Sequence, residues 1–135
     1  MTDAIRIKTE PDPFEAFHIA QGYKVGDLIL MSGQASIDSA GNLVGVGDFD
    51  AQAEQTFQNI KSVLQAAGTD MDRIVKVVIY LTDISNFLKI LDLREKRLTP
   101  PYPADTIVEV SSLALLELMI EIDATALANG KIINT

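Results

Sequence analysis

Cysteine is absent from this 135-residue chain, which excludes disulfides, thiolate metal sites and a cysteine nucleophile and weakly favours a reducing compartment. Histidine occurs once, at His18, so a multi-histidine zinc centre is excluded. A Ser-His-acid triad would have to recruit this one residue, which reads instead as a surface or satisfied core histidine. Basic residues are scarce: 11 Lys and Arg stand against 19 Asp and Glu, a net charge of −8 that opposes approach to a phosphate backbone. The one basic cluster, Arg94, Lys96 and Arg97, is interrupted by Glu95 and reads as a solvated helix face. No apolar run approaches the roughly 18 residues of a membrane span, and Met1–Arg6 precedes no apolar signal region. The expectation is a soluble, cytoplasmic protein with neither nucleic acid nor membrane as partner. No Asp-x-Asp-x-Asn-Gly loop supports a calcium or magnesium site, and Gly45-Val46-Gly47 lacks the third glycine of a dinucleotide loop and reads as a flexible connection. Neither metal nor cofactor is expected.

What is present is an ordinary globular composition, 47% apolar and 22% charged. The length suits one core, so residues 1–135 are read as one domain, with 1–16 as a short strand or extended arm and 128–135 as a tail. Leu28-Ile29-Leu30-Met31 is a continuous apolar run between turn residues, which predicts a strand covered on both faces. Asp38-Ser39-Ala40-Gly41-Asn42 supplies the turn of a hairpin. Ala53, Phe57, Ile60, Leu64 and Ala67 recur at helical spacing, with Asp48 or Asp50 to cap the start and Gly68 to end it. Ile74 to Leu81 reads as a central strand. A second helix is predicted from about Ser85 to Leu98, capped by Asp83 or Ser85, with Ile84, Phe87, Leu88, Leu91 and Leu98 inward, and Pro100-Pro101 stop it. Strands at Asp105 to Val110 and Leu118 to Ala126 complete an α+β order with two helices on one face of a mixed sheet. Two helices leave the other face bare, and so predict oligomerisation.

In the last strand Met119, Glu121 and Asp123 share one side, while Ile120, Ile122 and Ala124 share the other. Asp105, Ile107 and Glu109 form a similar set, and antiparallel pairing of the two strands would bring carboxylates together. Two readings stand: solvated rim positions, or carboxyls whose pKa burial and mutual repulsion raise toward acid–base work.

The segment Thr99-Pro100-Pro101-Tyr102-Pro103-Ala104-Asp105 is a proline-stiffened loop that delivers an acid to the start of a strand. Together with Ser32-Gly33-Gln34-Ala35-Ser36-Ile37-Asp38, Gln52 to Leu64, Ala66-Ala67-Gly68, Val75 to Asp83, Val108-Glu109-Val110 and Ile120 to Ala124, it resembles the RidA/YjgF family, also called the endoribonuclease L-PSP family, over roughly Phe17 to Ala126. The resemblance implies a chorismate-mutase-like α+β fold and a homotrimer with small-molecule clefts between subunits. It further implies that Glu121 positions the water that hydrolyses an imine and that Ser32 and Gly33 frame the pocket. The family's substrate-binding arginine falls on Asp105, a reversal of charge that would repel a carboxylate. Ile19 stands where the characterised deaminases have a tyrosine, and Leu91 where they have an asparagine. Arg94 or Arg97 is the available replacement cation, though both are expected to face solvent.

Three readings follow. One is a hydrolytic deaminase of an enamine- or imine-type metabolite, with the usual 2-imino-acid activity absent or reduced. The second is a non-catalytic ligand-binding or regulatory trimer. The third, a ribonuclease, conflicts with the acidic charge.

Overall fold

The computed structural model describes residues 1–135. Its strands are β1 (Ala4–Ile7), β2 (Gly22–Val25), β3 (Leu28–Met31), β4 (Gln34–Ala35), β5 (Ile74–Leu81), β6 (Ala104–Glu109) and β7 (Ile120–Leu127). The helices are α1 (Phe49–Ala66) and α2 (Phe87–Arg97). The strands form one mixed sheet in the order β1-β2-β3-β7-β5-β6, with β4 also pairing β7. β5 and β6 run parallel, linked by α2 as a crossover, while β7 lies antiparallel to both β3 and β5. Apolar residues from β3, β5 and β7 pack with Ala53, Phe57, Ile60 and Leu64 of α1 and Ile90 of α2 in one core. Each fully buried Ile or Leu in that cluster contributes roughly 1.5–3 kcal/mol. No helix is long and apolar enough to cross a membrane.

The first helix starts where the sequence predicts. Asp48 is its cap, accepting from Ala51 N–H at 3.1 Å, and Gly68 follows its end at a φ of +82°. The predicted hairpin also forms: Asp38 Oδ1 accepts from the N–H groups of Ala40 at 3.0 Å and Asn42 at 2.9 Å, and Ile37 bridges Leu43. Gly45 departs from the expected slack connection. It sits at a φ of +74°, and a Cβ there would lie 2.7 Å from that of Ala51, so the turn is packed tightly against the first turn of α1.

Two other expectations are corrected. In α2 the buried residue is Ile90, whereas Leu88 is 73% exposed and Ile84, Phe87 and Leu91 are also exposed; of the predicted inner set only Leu98 is buried. A 3-10 turn at Ile84–Asn86 precedes the α-helix, and α2 covers the sheet edge with a narrow stripe, so the helical phase read from the sequence is displaced. In β3 only Ile29 and Met31 are covered; Leu28 and Leu30 are 40% and 45% exposed. They share their face with Tyr23 and Val108, so one side of the sheet carries exposed apolar side chains in a single copy.

One buried polar side chain ties the helix layer to the loop before β7. The Gln52 amide donates to the carbonyls of Gly45 at 3.1 Å and Glu117 at 2.9 Å, and accepts from Met119 N–H at 2.8 Å. Gln52→Ala strands these partners away from water and is expected to lower stability by about 3 kcal/mol, measured by urea unfolding. A change below about 1 kcal/mol would show that water replaces the amide.

Candidate functional site

Strand β7 alternates strictly. Ile120, Ile122, Ala124 and Ala126 are buried against the helices, and Glu121 and Asp123 point to the open face. Tyr80 and Val78 of β5 pair with them on that face. Burial lifts the Glu121 carboxyl above the usual glutamate range, and the Asp123 charge lifts it further; burial raises Asp123 as well. These directions favour the tuned reading of the two.

Gly33 lies against Glu121. A Cβ at position 33 would approach the Glu121 carboxyl carbon to 2.9 Å and its Cγ to 3.2 Å, so only a residue without a side chain permits this placement. The neighbouring Ser32 is held in place: its hydroxyl donates to the Ala20 carbonyl at 2.6 Å and its N–H to Gln21 at 2.9 Å. Behind this junction, the Asn59 amide donates to the carbonyls of Ala35 at 2.8 Å and Ile37 at 2.7 Å, anchoring the chain beyond β4 to α1. Glu121, Ser32, Gly33 and Ile19 therefore line one cavity of about 540 Å³, whose apolar wall includes Phe17 and Leu115. Leu115 and Leu118, on the segment between β6 and β7, escaped the sequence reading; the signal was that segment's Leu- and Ala-rich composition.

Asp105 and Leu91 lie elsewhere. They line a second cavity of about 620 Å³ with Phe87, Arg94, Tyr102 and Ile107. The antiparallel pairing that would bring carboxylates of the last two strands together does not occur, because β5 stands between β6 and β7. Register also separates them by face: Asp105 pairs with Val77 and so points to the helix side, whereas Glu121 pairs with Tyr80 on the open side. Arg94, expected in solvent, instead donates from Nε to Asp105 Oδ2 at 2.8 Å. Arg97 is engaged as well, by Glu54, and Lys96 by Asp92 at 2.8 Å. No three His, Asp or Glu side chains converge as a metal site would require.

Gly33→Ala provides a test of the close approach. It is expected to displace the Glu121 carboxylate by an ångström or more, with the melting temperature little changed. An unmoved carboxylate in a crystal structure of the variant would show that position 33 does not set its placement.

The family model described as Endoribonuclease L-PSP matches residues 8–128. The chain is 32% identical over 123 residues to the 2-iminobutanoate/2-iminopropanoate deaminase of Salmonella typhimurium, covering 89% of this chain and 94% of that protein. Among solved structures, RidA from an Antarctic Psychrobacter superposes with a TM-score of 0.82 at 34% identity, covering 90% of this chain and 98% of that one. The YjgF gene product of E. coli gives a TM-score of 0.77 at 31% identity, covering 90% and 97%. Motif order, matched residues, identity and the α+β architecture agree, and the chain belongs to the RidA/YjgF (endoribonuclease L-PSP) family.

Proposed function

We propose that the chain assembles as a homotrimer with small-molecule clefts between copies and hydrolyses the C=N bond of an enamine- or imine-type metabolite. The observation that carries this reading is the Glu121 carboxylate, partly buried, raised in pKa, and seated against Gly33 at the wall of an apolar cavity. A carboxyl so raised exchanges protons nearer neutrality than one in water. Glu121 takes a proton from water as its oxygen bonds to the imine carbon. That proton passes to the imine nitrogen to give the carbinolamine, whose hydroxyl proton then moves through the same carboxylate to nitrogen as the C–N bond breaks, so imine and water become a carbonyl compound and ammonia. The exposed apolar face of the sheet supports the assembly, since patches of this kind mark interfaces. In the proposed trimer the Asp105 cavity of one chain would stand beside the Glu121 cavity of another, both contributing to one cleft.

Turnover of small 2-imino acids is expected to be reduced, because Asp105 stands where the characterised deaminases have an arginine. The test is ammonia release from enzymatically generated imines and enamines, with and without carboxylate or amine groups, alongside light scattering for the assembly. No release from any of them overturns the reading.

A second reading, a trimer that binds a small ligand without turning it over, has its own support. Ile19 and Leu91 supply apolar surface where the deaminases place polar groups, and Asp105 is engaged by Arg94. A metabolite that stabilises the protein thermally yet is recovered unchanged would favour it.

A further inference from the structure

Asp105 is not a bare acid. Its partner Arg94 projects from α2, and the two side chains are 22% and 19% exposed, within a cavity otherwise walled mainly by Phe87, Leu91, Tyr102 and Ile107. The 2.8 Å contact holds the guanidinium beside the edge strand. A guanidinium carries five N–H donors, and this contact uses one, at Nε. The terminal nitrogens have no partner within the chain and are not sealed from solvent. They present two parallel donors, the geometry that matches a carboxylate.

The cavity's third charged group is Glu95, which is exposed. With Arg94 and Asp105 offsetting each other, Glu95 leaves a surplus negative charge that weakens binding of any anion and disfavours a dicarboxylate more than a monocarboxylate.

We propose that Arg94, positioned by Asp105, is the anion-recognising residue of this cavity, and that it takes the single carboxylate of a small 2-oxo or 2-imino acid through its two terminal nitrogens. The identity of the ligand rests on the proposed imine hydrolysis; the site itself rests on the ion pair and the free donors. Reversal of charge at position 105 is then compatible with anion binding, since the cation arrives from the helix instead of the strand. The binding is weaker than at an unpaired arginine, because Asp105 offsets part of the charge.

The test is titration of 2-oxobutanoate, which the reaction would release and not consume, followed by NMR or calorimetry on the intact protein. Arg94→Gln is expected to weaken binding at least tenfold. Asp105→Asn, which keeps an acceptor for Nε and removes the offsetting charge, is expected to tighten it severalfold. The neutral amide 2-oxobutanamide should bind all three proteins equally weakly. Absence of saturable binding to the native protein, equal affinity in Arg94→Gln, or unchanged or weaker binding in Asp105→Asn each overturns the proposal. If Arg94→Gln fails to fold, the Asp105→Asn result decides. Arg94-dependent binding without ammonia release from any imine would remove the hydrolase reading and leave this site standing. Imine hydrolysis with the same KM in Arg94→Gln would do the reverse.

Discussion

Glu121→Gln is expected to slow ammonia release from an imine substrate by about 10²–10⁴-fold, the range for losing a positioned acid–base group, and to make the protein more resistant to urea at pH 7. Both effects have one origin. Burial, followed by the Asp123 charge, raises the Glu121 pKa, so in the folded protein the ionised carboxylate is the disfavoured form. A carboxyl whose folded pKa lies above its unfolded one favours the folded state fully below the unfolded pKa. That contribution is lost as the pH rises through the folded pKa. Above the unfolded pKa, ionisation therefore favours the unfolded state, and the neutral amide removes that bias. On the proposed mechanism turnover needs the ionised base, and it is expected to fall as the pH drops through the raised pKa. The urea-midpoint difference between variant and native protein shrinks over the same interval. Undiminished turnover, or a variant less stable than the native protein at pH 7, would contradict this account.

Asp105→Arg is expected to raise kcat/KM for 2-iminobutanoate by roughly ten- to 100-fold, the equivalent of one charge-assisted pair worth about 1.5–3 kcal/mol. The substitution removes an acid from the cavity, supplies a fork of donors at the family's position, and frees Nε of Arg94. Two arginines in one cavity repel, which holds the gain below what each would give alone. Gain for carboxylate-bearing imines, with none for neutral ones, is the signature to look for in the coupled assay. Unchanged activity would place the deficit in Leu91 and Ile19, whose apolar side chains offer no hydrogen bonds to a polar substrate.

Much of this was written locally in the chain. Asp48 before an apolar face of period 3.6, and Asp38 before Gly41, each specify a structure within a few residues, and both form as read. The alternation that places Glu121 opposite Ile120 and Ile122 is equally local. Strand order is not. The last strand inserts between β3 and β5, so Asp105 and Glu121, on strands consecutive in sequence, end on opposite faces. The Arg94–Asp105 pair was hidden for a related reason. Its partners are only 11 residues apart, but the intervening loop turns the chain from helix to edge strand, and whether Arg94 or Arg97 faces inward depends on where α2 begins. The 3-10 turn before the helix shifts that origin, moving Ile90 into the core and Leu88 out of it.

Asp105 and Glu121 lie on opposite faces of the sheet, so in the proposed trimer each cleft would draw the two from different chains. In a ring of copies, damage to the acidic part and damage to the arginine part of one chain would fall on different clefts. A single altered chain among normal ones would then disable neighbours according to which part it lost, so inheritance of such a defect would follow the seating of subunits and not their number alone.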